Sequence, residues 1–122
     1  MKVRFELFVD ELENSLYFYE HVLGFKKGYM NREYAEVFNG SVEIGICLME
    51  KLSEDHPLKT KSSDERKGLG VEIVLVVDEL ASLYQKVIDS GYPISADLQT
   101  QPWKLRDFRL VDPDGYYLRI TE

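Results

Sequence analysis

An internal repeat is the feature that most restricts how this chain can fold. The nine residues Arg4 to Leu12 recur in a similar pattern 68 positions later as Glu72 to Leu80, and both copies end in Val-Asp-Glu-Leu. Each copy is a run of β-branched and aromatic residues followed directly by acidic residues, the order expected of a strand that leads into the start of a helix. The repeat therefore predicts two copies of one supersecondary unit.

Both copies continue with a helix of apolar periodicity that ends at a glycine. The first predicted helix ends at Gly24, and its apolar face is made of Leu12, Leu16, Tyr19 and Leu23. The second ends at Gly91, and its apolar face is made of Leu80, Leu83, Tyr84, Val87 and Ile88. Strand and helix therefore repeat together.

Three further strand-like runs follow each helix. They span 25–30, 34–38 and 42–49 in the first half, and 93–97, 104–111 and 116–121 in the second. Asn39-Gly40 and Asp114-Gly115 mark the turns before the last strand of each half, because both dipeptides tolerate positive φ.

The predicted fold class is α+β, with two βαβββ modules whose curved mixed sheets surround a cavity and whose helices lie on the outer face. We expect a single domain over residues 1–122, with module one at 1–49, a polar linker at 50–68 and module two at 69–122. The linker has no periodicity, so we interpret it as a solvated connector, with a lid over a binding site as the alternative.

The net charge and the cysteine content limit which binding partners and which compartment are expected. The net charge of -7 argues against nucleic acid and anionic membrane surfaces as partners, and it would favour a cationic ligand. Cys47 is the only cysteine, so no disulfide within the chain can form, and residues 1–20 carry too many charges for a membrane span or signal peptide. A cytoplasmic location is expected.

Strand alternation predicts the residues of a binding site. One face of each strand is apolar and should pack on the helices, so the mixed face is left for a ligand. Arg4, Glu72 and Arg119 would converge there if the two modules are related by a pseudo-two-fold axis. The predicted ligand-binding residues are Arg4, Glu6, Glu72, Trp103, Arg109, Tyr117 and Arg119.

Two segments carry a resemblance to a known superfamily. Phe18 to Phe25, with the sequence FYEHVLGF, and Phe108 to Gly115, with the sequence FRLVDPDG, resemble two conserved elements of the vicinal-oxygen-chelate superfamily. That superfamily includes glyoxalase I, extradiol dioxygenases and the bleomycin-resistance proteins, and the resemblance covers nearly the whole chain. It implies the paired-module fold and a homodimer, while function depends on the site itself.

The resemblance also implies where a metal would bind. Metal-dependent members place His, His and Glu at the positions that match Arg4, Glu72 and Arg119, and a further glyoxalase ligand falls near Gly45. A guanidinium stays protonated and offers no lone pair to a cation. We therefore predict no metal ligands and no cofactor. His21 and His56 lie on no predicted cavity strand, and we interpret Cys47 as a packing residue.

Two interpretations of the charged residues Arg4, Glu72 and Arg119 stay open. They form either an ion cluster that fills the former metal position, or a site where one arginine, only partly neutralised by Glu72, holds a ligand carboxylate or phosphonate. Trp103 lies in a Gln-Pro-Trp-Lys segment that resembles the PWG element of bleomycin-resistance proteins, with Lys104 in place of Gly. It would stack on the ligand, or else serve as a core or interface residue.

Three functional hypotheses follow. The first is a metal-free small-molecule-binding protein of the glyoxalase/bleomycin-resistance type that sequesters a cationic or aromatic compound without converting it. The second is a metal-dependent lyase, isomerase or dioxygenase with non-standard ligands. The third is a metal-free enzyme in which Glu72 is the general base.

Overall fold

The repeat in the sequence is also a repeat of structure. A computed structural model describes residues 1–122 and divides into two compact units, Met1–Lys67 and Gly68–Glu122. The first unit contains β1 (Phe5–Val9), α1 (Leu12–Tyr17), β2 (Lys26–Met30), β3 (Tyr34–Asn39) and β4 (Val42–Leu48). The second contains β5 (Glu72–Val76), α2 (Leu80–Ser90), β6 (Ala96–Thr100), β7 (Arg106–Val111) and β8 (Tyr117–Thr121).

Each unit forms one four-stranded mixed sheet with the same strand order. The orders are β1-β4-β3-β2 and β5-β8-β7-β6. The first strand of each module pairs in parallel with the last, and the remaining pairs are antiparallel. The α+β class and the two βαβββ modules are therefore confirmed. No helix has the length and apolar content needed to cross a membrane.

The first helix changes its winding partway along. After α1, residues Phe18–Val22 form a π-helical segment, in which Leu23 N donates to Phe18 O across 3.1 Å. The adjacent residues Phe18 and Tyr19 at the start of this segment are both fully buried. The segment ends at Val22, and Gly24 follows two residues later with a φ of 79°. The predicted apolar face is confirmed, since all four of its members are buried: Leu12, Leu16, Tyr19 and Leu23.

The second helix buries a narrower face than the sequence predicts. Leu80 and Val87 are buried, Leu83 and Tyr84 are half-buried, and Ile88 is 44% exposed. The prediction was wrong at Ile88, because successive residues are 100° apart on an α-helix and Val87 already faces the sheet. The helix ends at Gly91 as expected.

Buried and exposed side chains alternate within the strands as predicted, but not beyond the strand ends. The inward residues Leu7, Val9, Ile73, Leu75, Leu118 and Ile120 are all buried. Strict alternation also predicts Val3 and Val71 on the apolar faces, but both are exposed because β1 begins only at Phe5 and β5 only at Glu72. The same alternation predicts Thr121 on the mixed face with Arg119, yet it is buried and its hydroxyl donates to Arg106 O.

Two strand boundaries in module two differ from the prediction. The strand expected at 93–97 runs from Ala96 to Thr100, since Pro93 lacks an N–H and the preceding Tyr92 hydroxyl bonds to Val111 O at 2.7 Å. The strand expected at 104–111 begins at Arg106. Residues 101–105 form the hairpin turn instead, and Lys104 there is the one non-glycine residue with positive φ, at 73°.

The linker is attached to the first unit by lysine side chains. Lys59 Nζ donates to Met49 O at 3.1 Å and to Leu52 O at 3.2 Å. Lys67 Nζ lies 2.9 Å from the Asp10 carboxylate, and its side chain is only 3% exposed. The segment 50–67 therefore has defined contacts with module one.

The turn at Lys104 leads to a stability prediction. Replacement of Lys104 by Gly should raise the free energy of unfolding by about 1 kcal/mol, because a residue with a Cβ is disfavoured in the left-handed region. The matched control Lys104→Ala keeps the Cβ and should give no comparable gain. Urea denaturation monitored by circular dichroism measures both, and equal midpoints for the two variants would contradict the explanation.

Candidate functional site

Three adjacent strands of module two present one charged face. In the register of the sheet, Glu72 on β5 lies opposite Tyr117 on β8, and Arg119 on β8 lies opposite Arg109 on β7. Side chains two residues apart on a strand share a face. Glu72, Arg109, Tyr117 and Arg119 are thereby brought together, with Asp107 two residues before Arg109.

Arg109 is the most fully paired member of this cluster. Its Nη1 donates to Glu72 Oε1 at 3.0 Å, and its Nη2 lies 3.4 Å from Asp107 Oδ2. Burial by itself lowers the pKa of Arg109, but hydrogen bonds with Tyr117 and Asp107 and the charges of Asp107 and Glu72 outweigh burial and raise it above its ordinary value. Arg109 is thus a permanent cation held between two carboxylates.

Asp107 is a buried carboxylate that supports Arg109. It is 1% exposed and accepts a hydrogen bond from Gln101 Nε2 at 2.9 Å as well as the contact with Arg109. A buried charge needs such partners to offset its lost hydration. Strand alternation places Asp107 on this face, whereas its role as a partner of Arg109 is visible only in the structure.

Arg119 is held much more loosely. Its Nε lies 3.8 Å from Glu72 Oε2, beyond hydrogen-bond distance, and this buried Nε has no hydrogen-bond partner. Its Cζ lies 5.9 Å from the centroid of the Trp103 ring, a cation–π arrangement. Arg109 makes the corresponding contact with Tyr117, also at 5.9 Å.

The hairpin turn, rather than the strand, places Trp103. Residues 101–105 form the turn between β6 and β7, with Lys104 N donating to Gln101 O at 2.8 Å. Trp103 therefore reaches Arg119 from the turn while 52% of its surface stays exposed. A core role for this tryptophan is wrong, and an interface or ligand role remains.

Arg4 and Glu6 form a second cluster, within module one. Arg4 Nε lies 2.8 Å from Glu6 Oε1, and Arg4 Nη2 donates to the Tyr34 hydroxyl. The Cys47 thiol lies 3.2 Å from the other Glu6 oxygen. The convergence of Arg4 with Glu72 and Arg119 stays a prediction. No sequence signal linked Tyr34 to Arg4, 30 residues earlier.

The register shows that equivalent positions carry different chemistry in the two modules. In module one, Gly45 on β4 lies opposite Glu6 on β1. The equivalent pair in module two is Arg119 on β8 opposite Val74 on β5. A Cβ at Gly45 would collide with the Glu6 carboxylate, so the glycine makes room for it. A carboxylate therefore covers the position in module one that holds a guanidinium in module two.

The residues at the implied metal positions do not fit a metal ion. No group of three His, Cys, Asp or Glu side chains is arranged to hold one. Glu72 is ion-paired with Arg109 and Arg119, and two of the three implied ligand positions carry guanidinium groups. The His21 ring lies 5.2 Å from the Tyr17 ring at a tilted angle, and His56 lies against Phe8 with its Nδ1 accepting from Leu58 N.

A separate open groove of about 680 Å³ lies in module one at the start of α1. Its lining includes Glu11, Lys27, Arg32 and Leu48, and none of the predicted site residues. Its charged lining residues are of both signs, with Glu11 and Glu13 against Lys27 and Arg32. The charged face of module two remains the stronger candidate site.

Comparison with known families gives one match across nearly the whole chain. The family model described as Glyoxalase/Bleomycin resistance protein/Dioxygenase superfamily matches residues 3–120. No curated protein matches the sequence.

Several solved structures are similar in fold. A glyoxalase-related enzyme from Fulvimarina pelagi has a TM-score of 0.79 at 22% identity, over 99% of this chain and 87% of that one. TioX from Micromonospora sp. ML1 has a TM-score of 0.78 at 16% identity, over 100% and 98% of the two chains. Lactoylglutathione lyase from Agrobacterium tumefaciens has a TM-score of 0.74 at 14% identity, over 100% and 92%. At these identities the likeness establishes the fold alone.

Cys47 has a property that its cluster explains. Burial raises the pKa of the thiol to about 12 from an ordinary value of 9.0, with further increases from the hydrogen bond to Glu6 and from its charge, against a smaller opposing effect of Arg4. The raised pKa favours the neutral thiol in the folded chain. The contribution of the neutral Cys47 thiol to the free energy of unfolding is therefore complete below pH 9.0 and is lost as the pH rises towards about 12.

Replacement of Glu6 by Gln should make Cys47 more reactive. Loss of the neighbouring negative charge lowers the thiol pKa, so alkylation of the folded protein by iodoacetamide at pH 8.5 should accelerate at least about threefold. Glu43→Gln is the matched control, because Glu43 is a module-one carboxylate paired with Lys2. Equal rates in the two variants would show that Glu6 does not act on the thiol.

Proposed function

The chain belongs to the Glyoxalase/Bleomycin resistance protein/Dioxygenase superfamily, and from that premise we propose that it is a metal-free protein that binds a small molecule. It holds an aromatic or cationic compound and does not convert it. The candidate site is the module-two cluster of Glu72, Trp103, Arg109, Tyr117 and Arg119. Arg4 and Glu6 of module one are proposed as further ligand-binding residues.

One observation carries this proposal. The only carboxylate at the three implied metal positions, Glu72, is engaged by two arginines, at 3.0 Å and 3.8 Å. A cation that entered there would have to displace guanidinium groups from their counter-ion and would meet two like charges. The residues therefore favour an organic ligand over a metal ion.

The ligand's chemistry follows from the cluster more than from the net charge. The charge of -7 supports a cationic compound, yet it is spread over the whole chain. The cluster itself offers the exposed face of Trp103 and the ring of Tyr117 beside two arginines. Aromatic rings and guanidinium planes both stack on planar groups. The cluster therefore supports an aromatic ligand.

The two enzyme hypotheses have less support. Likeness to lactoylglutathione lyase raises a metal-dependent lyase as the alternative, but the fold is shared at 14% identity and the donor set differs. A general base needs a free lone pair within reach of the substrate proton. Glu72 accepts from Arg109 with one oxygen and faces Arg119 with the other, so this role is less favoured.

We further propose a homodimer in a reducing compartment such as the cytoplasm. Val74 and Val76 lie on the face of β5 that also carries Glu72 and are 40% and 75% exposed, so a partner chain on this face would lie beside the candidate site. The single free cysteine is compatible with a reducing compartment. Sedimentation equilibrium would give the mass of the assembly.

Metal analysis separates the binding protein from the metal-dependent enzyme. We expect purified protein to contain substoichiometric metal, and its melting temperature to stay unchanged when Zn²⁺, Ni²⁺, Mn²⁺ or Fe²⁺ is added after treatment with EDTA. A native-state metal site would raise the melting temperature as the metal concentration rises. Stoichiometric metal by mass spectrometry, together with such a rise, would overturn the proposal.

A further inference from the structure

We propose that Arg119 binds the carboxylate of an aromatic ligand whose ring stacks on Trp103. The inference rests on the proposed function, because it names the ligand class of the same site. One charged residue, Arg119, anchors the ligand. The ligand is thus a planar aromatic acid rather than a cation or a neutral ring.

Among the three arginines of the predicted site, Arg119 is identified as the anchor because it has the fewest partners. Arg109 is held by Glu72 and Asp107 and contacts Tyr117. Arg4 is held by Glu6 and the Tyr34 hydroxyl. Arg119 has a single ion-pair contact, at 3.8 Å with Glu72, a carboxylate that already accepts from Arg109, and its guanidinium makes no hydrogen bond within the chain. Of these three arginines, Arg119 therefore has the most unused hydrogen-bonding capacity.

The surroundings of Arg119 determine which edge of the guanidinium is free. Glu72 lies on the Nε side, so an incoming carboxylate meets the two terminal nitrogens. These form a planar pair of donors that matches two carboxylate oxygens. The Arg119 side chain is 26% exposed, which leaves it accessible while reducing the screening of its charge by water.

Trp103 supplies the second half of the recognition. The indole lies beside the Arg119 guanidinium and is more than half exposed, so its free surface can receive an aromatic ring joined to the bound carboxylate. A cationic group at the same place would face Arg119 and Arg109 together. Charge thus selects against the cationic analogue of an otherwise identical ring.

Three matched probes test this inference on the intact chain. They are 2-naphthoate, its neutral analogue 2-naphthamide and the cationic 2-naphthylmethylammonium ion, all in buffer with EDTA. Because the chain has one tryptophan, the indole N–H gives a single signal in a ¹H–¹⁵N spectrum, and its shift follows binding at Trp103. We expect 2-naphthoate to bind at least about tenfold more tightly than 2-naphthamide, and the cation to bind most weakly.

Two variants locate the anchor. Arg119→Gln should remove the preference for 2-naphthoate while leaving 2-naphthamide binding nearly unchanged. Arg106→Gln is the control, because Arg106 is also on module two but pairs with Glu122 outside the cluster, and it should keep the preference. The probe comparison on the unmodified chain remains decisive if Arg119→Gln fails to fold.

The outcomes distinguish this inference from the proposed function. Equal binding of 2-naphthoate and 2-naphthamide at Trp103 would overturn the carboxylate anchor and leave metal-free aromatic binding intact. Tightest binding of the cation, or a preference retained in Arg119→Gln, would also overturn the anchor. No shift of the indole signal with any probe would overturn the aromatic site itself, and the anchor with it.

Discussion

The parallel pairing of the first and last strands of each module is the constraint on which the rest depends. It makes the last strand a central one, flanked by β1 and β3 in module one and by β5 and β7 in module two. The register then decides which side chains face each other across the sheet. In module two it sets Val74 opposite Arg119 and Arg109 opposite Arg119, so two arginines and Glu72 share one face.

This arrangement places two positive charges side by side, and the carboxylates of the cluster compensate them only in part. Two partly buried guanidinium groups need counter-ions, and the face supplies Glu72 and the buried Asp107. The Nε atoms of both arginines are nonetheless buried without a hydrogen-bond partner, each at a cost on the order of 1–3 kcal/mol. An anion that binds Arg119 would supply the charge compensation that this arginine lacks. The incomplete pairing is thus the physical basis of the binding proposal.

The superfamily scaffold explains the geometry of the cluster but not its chemistry. Structures that share the fold at 14–22% identity include a glyoxalase-related enzyme and a lactoylglutathione lyase. In this chain, the positions that match metal ligands carry Arg4, Glu72 and Arg119. Glu72 is paired with Arg109 and Arg119, and Gly45 leaves its place to Glu6. The same backbone can therefore carry different side-chain chemistry at equivalent positions in different chains.

The sequence by itself determined the repeat, the two helices with their glycine ends, and the strand alternation that assigns Glu72, Arg109 and Arg119 to one face. These features are local, because they depend on periodicity and backbone preference. Only the tertiary structure decided that Ile88 is exposed, that Trp103 reaches Arg119 from a turn, and that Arg109 rather than Arg119 takes the carboxylates. Such outcomes depend on distances between side chains on different strands, and strand periodicity carries no information about them.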